Sequence, residues 1–162
     1  MQQNVMPTNG MVITEDTTFA PGMFFLPDGI RIAADGIRVQ GASMGAGTVI
    51  ASPDKRGVGI QISGQAGVTL KNISVNGYYH GVRCDDCRDL TIEDVTVRGT
   101  YEIEGIETFL YLWKPVEDAY GGGLLFNNVR DSLIRNCDMQ HQMHGILLYD
   151  GDNVTVRGCN AS

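Results

Sequence analysis

The chain has 162 residues, 19 Asp and Glu against 12 Lys and Arg, and a formal charge of −7, a length that suits one domain with a core of its own. The acidic balance argues against a nucleic-acid backbone or an anionic membrane as partner, since both require a basic face. No apolar run exceeds the five residues of Phe109–Trp113, far short of a membrane span, and four cysteines are too few for a disulfide scaffold of this size.

Met1 to Gly10 lack the basic start and apolar stretch of an export signal, which leaves the compartment unspecified, and residues 1–12 are expected to have no fixed structure. Thr17 to Asp28, with turns at Pro21-Gly22 and Pro27-Asp28-Gly29, predicts a lead-in strand, so that residues 1–28 start the first coil. Ile30, Ile32, Ile37 and Val39 predict an irregular coil, and residues 41–57, with Gly45, Gly47 and Pro53-Asp54, a loop leaving it.

From Gly59 a period takes over. Gly59, Gly81, Gly123 and Gly145 are separated by 22, 42 and 22 residues, the middle step being one period plus a 20-residue insertion. One and three steps past each glycine come Ile60 and Ile62, Val82 and Cys84, Leu124 and Phe126, Ile146 and Leu148. Apolar pairs recur at steps nine and eleven (Val68 and Leu70, for example) and at fourteen and sixteen (Ile73 and Val75). Of 24 such positions only Ser132 is polar, where the overall 43% hydrophobic content would leave more than half polar. Pairs spaced by two are short strands with alternate residues inward. Three strands per 22 residues stack their inward files only if each repeat is one coil of a parallel β-helix, about 4.8 Å from the next. At step thirteen stand Asn72, Asp94, Asn136 and Gly158, types that tolerate the left-handed backbone of a sharp corner.

The segments Gly67–Ile73, Asp89–Val95 and Asn153–Cys159 make the chain resemble the right-handed parallel β-helix proteins of the pectate-lyase-like superfamily from about Gly29 to Ser162. The fold expected is therefore an all-β, single-stranded right-handed parallel β-helix of about five coils, one domain over residues 1–162. Residues 100–122 form an insertion carrying Phe109, Tyr111, Trp113 and Tyr120 among Glu102, Glu104, Glu107, Glu117 and Asp118. Ser162 falls just after the third strand of the last coil, so the expectation is an uncapped end, continued by further chain or by self-association.

The resemblance implies a polysaccharide lying along the outside of the first sheet, and a lyase- or glycoside-hydrolase-like activity there. The residues on that face supply the candidates. His80 and His144, two coils apart in one file, suit general acid or base work, with Asp85 as a second acid. Arg83 presents a planar fork that matches a uronate carboxylate. Tyr79, Trp113, Tyr120 and Tyr149 offer flat faces on which sugar rings stack. The clustered aspartates of polygalacturonase-like hydrolases and the Asp-Pro-His sequence of alginate epimerases are missing. Two further readings therefore stand beside the enzyme: a non-catalytic carbohydrate-binding β-helix, and a structural spike or scaffold segment.

No metal site and no cofactor motif is legible. Cys84 and Cys87 form a CxxC that the repeat turns inward, Cys137 and Cys159 lie one coil apart in the interior, and Gly121-Gly122-Gly123 leads into a strand rather than a helix.

Overall fold

The computed structural model describes residues 4–43, 47–100, 115–140 and 144–161. The chain winds as a parallel β-solenoid of six turns. The first comprises β1 (Val12–Ile13), β2 (Thr17–Thr18) and β3 (Gly22–Phe25), and the second β4 (Ile30–Ile32), β5 (Arg38–Gln40) and β6 (Thr48–Ala51). The third is β7 (Val58–Ser63) with β8 (Thr69–Asn76), and the fourth β9 (His80–Asp85) with β10 (Thr91–Arg98). A 3-10 turn at Val116–Asp118 precedes the fifth, β11 (Gly122–Asn127) and β12 (Arg130–Arg135); β13 (His144–Tyr149) and β14 (Asp152–Arg157) make the sixth.

The first sheet runs β1-β4-β7-β9-β11-β13 and the second β2-β5-β8-β10-β12-β14, every pairing parallel. β8 and β10 each turn a corner at Asn72 and Asp94, with φ of 57° and 53°, and so serve two sides of the coil. The far half of β8 pairs with β6, and β6 with β3.

The register is the sequence period. Ile60 stacks on Val82, Val82 on Leu124 and Leu124 on Ile146; Ile62, Cys84, Phe126 and Leu148 follow two residues on. The inserted residues leave this file unbroken, since Val82 and Leu124 are partners 42 positions apart. Glycine marks the start of each repeat for a steric reason, which Gly81 shows. A Cβ there would lie 2.4 Å from Val97 Cγ1 and 2.8 Å from the Gly123 carbonyl oxygen. Ser132, the single polar residue of the inward files, is buried and matched: it accepts from Leu90 N at 3.0 Å and donates to the Arg130 carbonyl at 2.8 Å.

Three files of left-handed corner residues run along the axis. Besides Asn72, Asp94, Asn136 and Gly158, they are Gly64, Asp86, Asn128 and Asp150, and Gly67, Asp89, Asp131 and Asn153, with φ between 51° and 71° throughout. Asn and Asp reach this conformation at low cost. Stacking them also links turns: Asn128 donates to Asp86 at 2.8 Å and Asn153 to Asp131 at 2.7 Å.

Three expectations change. The coil count is six rather than about five, because residues 12–25 complete a turn of their own instead of one lead-in strand. Its strands β1 and β2 are two residues long, too short for alternation to reveal them. Residues 41–57 contain β6, whose Ile50 is inward and buried between Phe24 and Val75, so the segment is a side of the coil as well as a loop. Part of residues 1–12 is fixed: Val5 pairs with Phe19, and the Asn9 amide clasps Asp28 by accepting from its N–H at 2.8 Å and donating to its carboxylate at 2.9 Å.

All four cysteines are free thiols; Cys84, Cys87 and Cys137 are buried. Cys87, Cys137 and Cys159 donate to carbonyls of the preceding turn, those of Ile62, Ile92 and Ile134, at 3.5 to 3.7 Å.

Candidate functional site

The outward residues of β7, β9, β11 and β13 form two files, Gln61, Arg83, Leu125 and Leu147, and Ser63, Asp85, Asn127 and Tyr149. Because the strands are parallel and in register, like positions lie about 4.8 Å apart along the axis. Asp85 sits at the centre. Arg83 grips it with two prongs, Nε to Oδ2 at 3.0 Å and Nη2 to Oδ1 at 3.2 Å. Gln61, one turn back, donates to Oδ2 at 2.9 Å, and Asn127, one turn on, donates to Oδ1 at 3.0 Å. Gln61 also donates to the Arg83 carbonyl at 3.2 Å. The result is a closed polar network across three turns.

Its electrostatics follow from these bonds. Burial alone would raise the Asp85 carboxyl, but hydrogen bonds from Arg83, Asn127 and Gln61 and the Arg83 charge outweigh it, holding the group below the usual carboxylate range. The carboxylate that Arg83 meets is thus the chain's own. Both side chains keep an open edge, with 25% of Arg83 and 16% of Asp85 accessible.

The strand position before each repeat glycine carries Val58, His80, Gly122 and His144. His80 and His144 flank Gly122, about 10 Å apart along the backbone stack. His80 is 5% exposed and meets the Tyr79 ring edge-on at 4.8 Å. Burial, aided by the Arg83 charge and opposed by Asp85, pulls its pKa down to about 4. His144 is half-buried against Tyr120, ring centres 5.8 Å apart, and burial lowers its pKa as well. The Tyr79 hydroxyl donates to the Ala119 carbonyl at 3.0 Å, tying the segment before β11 to this edge. Tyr149 is half-buried beside Asn127.

Arg83 and Asp85 are therefore in contact, His80 and Tyr79 pack at one edge of the face, and His144 and Tyr120 pack two turns on. Trp113 lies outside the described residues. Leu125 is fully buried although it points outward, and Leu147 is half-buried. Sequence reasoning passed over Gln61 and Asn127 as functional groups. Their signal was available: both hold outward positions one turn either side of the Arg83–Asp85 pair.

Residues 39–162 match the family model described as periplasmic copper-binding protein (NosD). No curated protein matches the chain. Among solved structures, a candidate glycosyl hydrolase from Parabacteroides merdae superposes with a TM-score of 0.62 at 9% identity, over 93% of this chain and 76% of that one. That likeness is one of fold.

The family's description raises copper, and the donor set can be tested for it. Copper favours thiolate, thioether and imidazole ligands. Among the described residues no three His, Cys, Asp or Glu side chains converge as a metal centre requires. Cys84 is wholly buried, and desolvation, the neighbouring Cys87 and Asp85 push its thiol well up; burial pushes Cys137 up to about 12. These thiols face the core, and no third donor among His, Cys, Asp and Glu joins them among the described residues. Among the described residues the histidine, cysteine and carboxylate side chains do not assemble a copper site.

Proposed function

The chain belongs to the NosD family of β-helix proteins, and from that premise we propose that it binds an extended glycan along the outer face of its first sheet, by recognition rather than bond cleavage. The observation that carries this reading is the network of Gln61, Arg83, Asp85 and Asn127. A rigid sheet fixes the groups this network leaves over, the Arg83 Nη1 donors and the Gln61 and Asn127 amide oxygens, over about 10 Å, roughly two rises of the coil. Preorganised groups lose little entropy when a ligand docks. Tyr149, in the next rung, adds an aromatic surface on which a sugar ring stacks.

At the network itself, the states of Asp85 and His80 favour recognition over hydrolysis or elimination. Asp85 is ionised and saturated with hydrogen bonds, so it has no proton to give. His80 is neutral and enclosed at neutral pH. General acid–base work needs a group that changes protonation near the working pH and reaches the substrate.

The test is a glycan array probed with the intact protein and with Arg83→Ala and Tyr149→Ala, followed by mass spectrometry of any bound oligosaccharide. Binding without shortened products, weakened in both variants, is the expected result. A blank array from folded protein removes the reading, and release of shortened oligosaccharides replaces it with a lyase- or hydrolase-like activity.

A further inference from the structure

Asp85 of the first sheet is saturated with hydrogen bonds; a second surface keeps charged groups with open capacity. On the outside of the second sheet, where the first three turns stack, Asp16, Thr18, Arg38, Gln40 and Thr69 line a cavity of about 330 Å³. Its wall is low because Gly36 and Gly67 form the adjoining corner, with φ of 67° and 71°, and bring no side chain to it. Arg38 stacks on Thr69, and Gln40 on Thr18, so these side chains rise from neighbouring rungs of one rigid surface.

Asp16 Oδ1 accepts the Arg38 backbone N–H at 2.9 Å, which fixes the carboxylate at the rim and leaves Oδ2 open. Gln40 donates one amide N–H to the Thr18 hydroxyl at 3.1 Å, leaving its carbonyl and second N–H. Among the described residues the Arg38 guanidinium has no ion pair, and neither it nor the Thr69 hydroxyl has a hydrogen-bond partner. Hydrogen-bonding capacity of both signs therefore converges on one concavity. Its charges cancel, one carboxylate against one guanidinium. Farther along the Gln40 file come Lys71 and Glu93, the latter ion-paired with Arg135 at 2.7 Å.

We propose that this cavity binds a single neutral sugar residue, at a site separate from the glycan path of the first sheet. The Arg38 fork donates to two adjacent hydroxyl oxygens, the open Asp16 oxygen accepts from a third hydroxyl, and Thr69 and the Gln40 carbonyl complete the ring of contacts. A free anion would meet Asp16, a cation would meet Arg38, and an apolar ligand would strand these polar groups without partners. A polyol satisfies both signs at once.

The experiment is a titration of isotope-labelled protein with glucose, galactose and mannose, followed by backbone amide NMR, with galacturonate and sulfate as anionic arms. The neutral sugars should move the amides of Asp16, Arg38, Gln40 and Thr69. Arg38→Ala should weaken that response by about tenfold or more, the loss of a charge-assisted hydrogen bond. Arg38 is exposed, so the rest of the spectrum should be unchanged in the variant. Arg83→Ala should bind the sugars at this cavity as before. The proposal is overturned if no neutral sugar moves these amides, or if sulfate moves them equally well. It is also overturned if Arg83→Ala abolishes sugar binding while Arg38→Ala keeps it, a result that leaves the first-sheet reading standing.

Discussion

Burying His80 makes the stability of the solenoid depend on acid in a defined window. In the unfolded chain its imidazole titrates near the ordinary 6.5; in the fold, burial first and the Arg83 charge second bring it to about 4. Between these values the unfolded chain holds a proton that the fold refuses, so stability rises with pH there and falls on acidification. The stabilisation of the neutral form is fully present above pH 6.5 and is lost as the pH drops toward 4. At 1.36 kcal/mol per pH unit, the loss is about 3 kcal/mol across the window. Urea unfolding from pH 7.5 to 3.5, for the parent and for His80→Gln, isolates it, since the variant lacks the titrating group. His144→Gln serves as a control because burial lowers that pKa too. Asp85 acts lower down: its depressed carboxyl costs stability only as the pH falls below the usual carboxylate value. Parallel pH profiles for the parent and His80→Gln between pH 4 and 6.5 would refute the reasoning.

Other substitutions probe the coil itself. Ser132→Val restores the apolar pattern of its file yet should destabilise by about 1 to 3 kcal/mol, because the buried Leu90 N–H loses its acceptor; a gain in urea midpoint would contradict this. Gly81→Ala places a methyl against Val97 and the Gly123 carbonyl and should cost about 1 to 3 kcal/mol, with Val97→Ala recovering only part of the loss because the backbone contact persists. Phe126→Ala, at a fully buried position, should cost about 3 to 5 kcal/mol by calorimetry or denaturant titration. Asn153→Ala should be worse than Asn153→Asp at pH 3. Aspartate keeps the left-handed corner, and once protonated it can donate to Asp131 as the amide does.

Much of this architecture could be read before any coordinates. Ile60, Val82, Leu124 and Ile146 predict their own stacking because in-register parallel pairing leaves each file one choice of neighbour. The repeats with Gly59 through Gly145 were legible for that reason. The first turn was not, since Val12–Ile13 and Thr17–Thr18 are too brief to alternate and are held in place by stacking on β4 and β5. One corner file was visible in Asn72, Asp94 and Asn136. The other two, mixing Gly64 with Asp86, Asn128 and Asp150, or Gly67 with Asp89, Asp131 and Asn153, look like ordinary polar loops until φ is known. On the outer face the sequence places Arg83 and Asp85 on one strand two residues apart. Whether the guanidinium turns to Asp85 or to a ligand is decided by rotamers and by Gln61 and Asn127, and a repeat pattern carries no rotamers.

The direct contact of Val82 with Leu124, in spite of the long excursion between them, has a consequence for how such a chain diversifies. Extra residues at that point lengthen no strand and shift no partner; their entropic penalty grows only with the logarithm of their number, about 0.6 kcal/mol for each doubling. Everything that must fit is settled between adjoining laps, so the trunk tolerates grafts at its corners as a spiral stair tolerates balconies. New recognition surfaces can be tried there while the load of stability stays elsewhere.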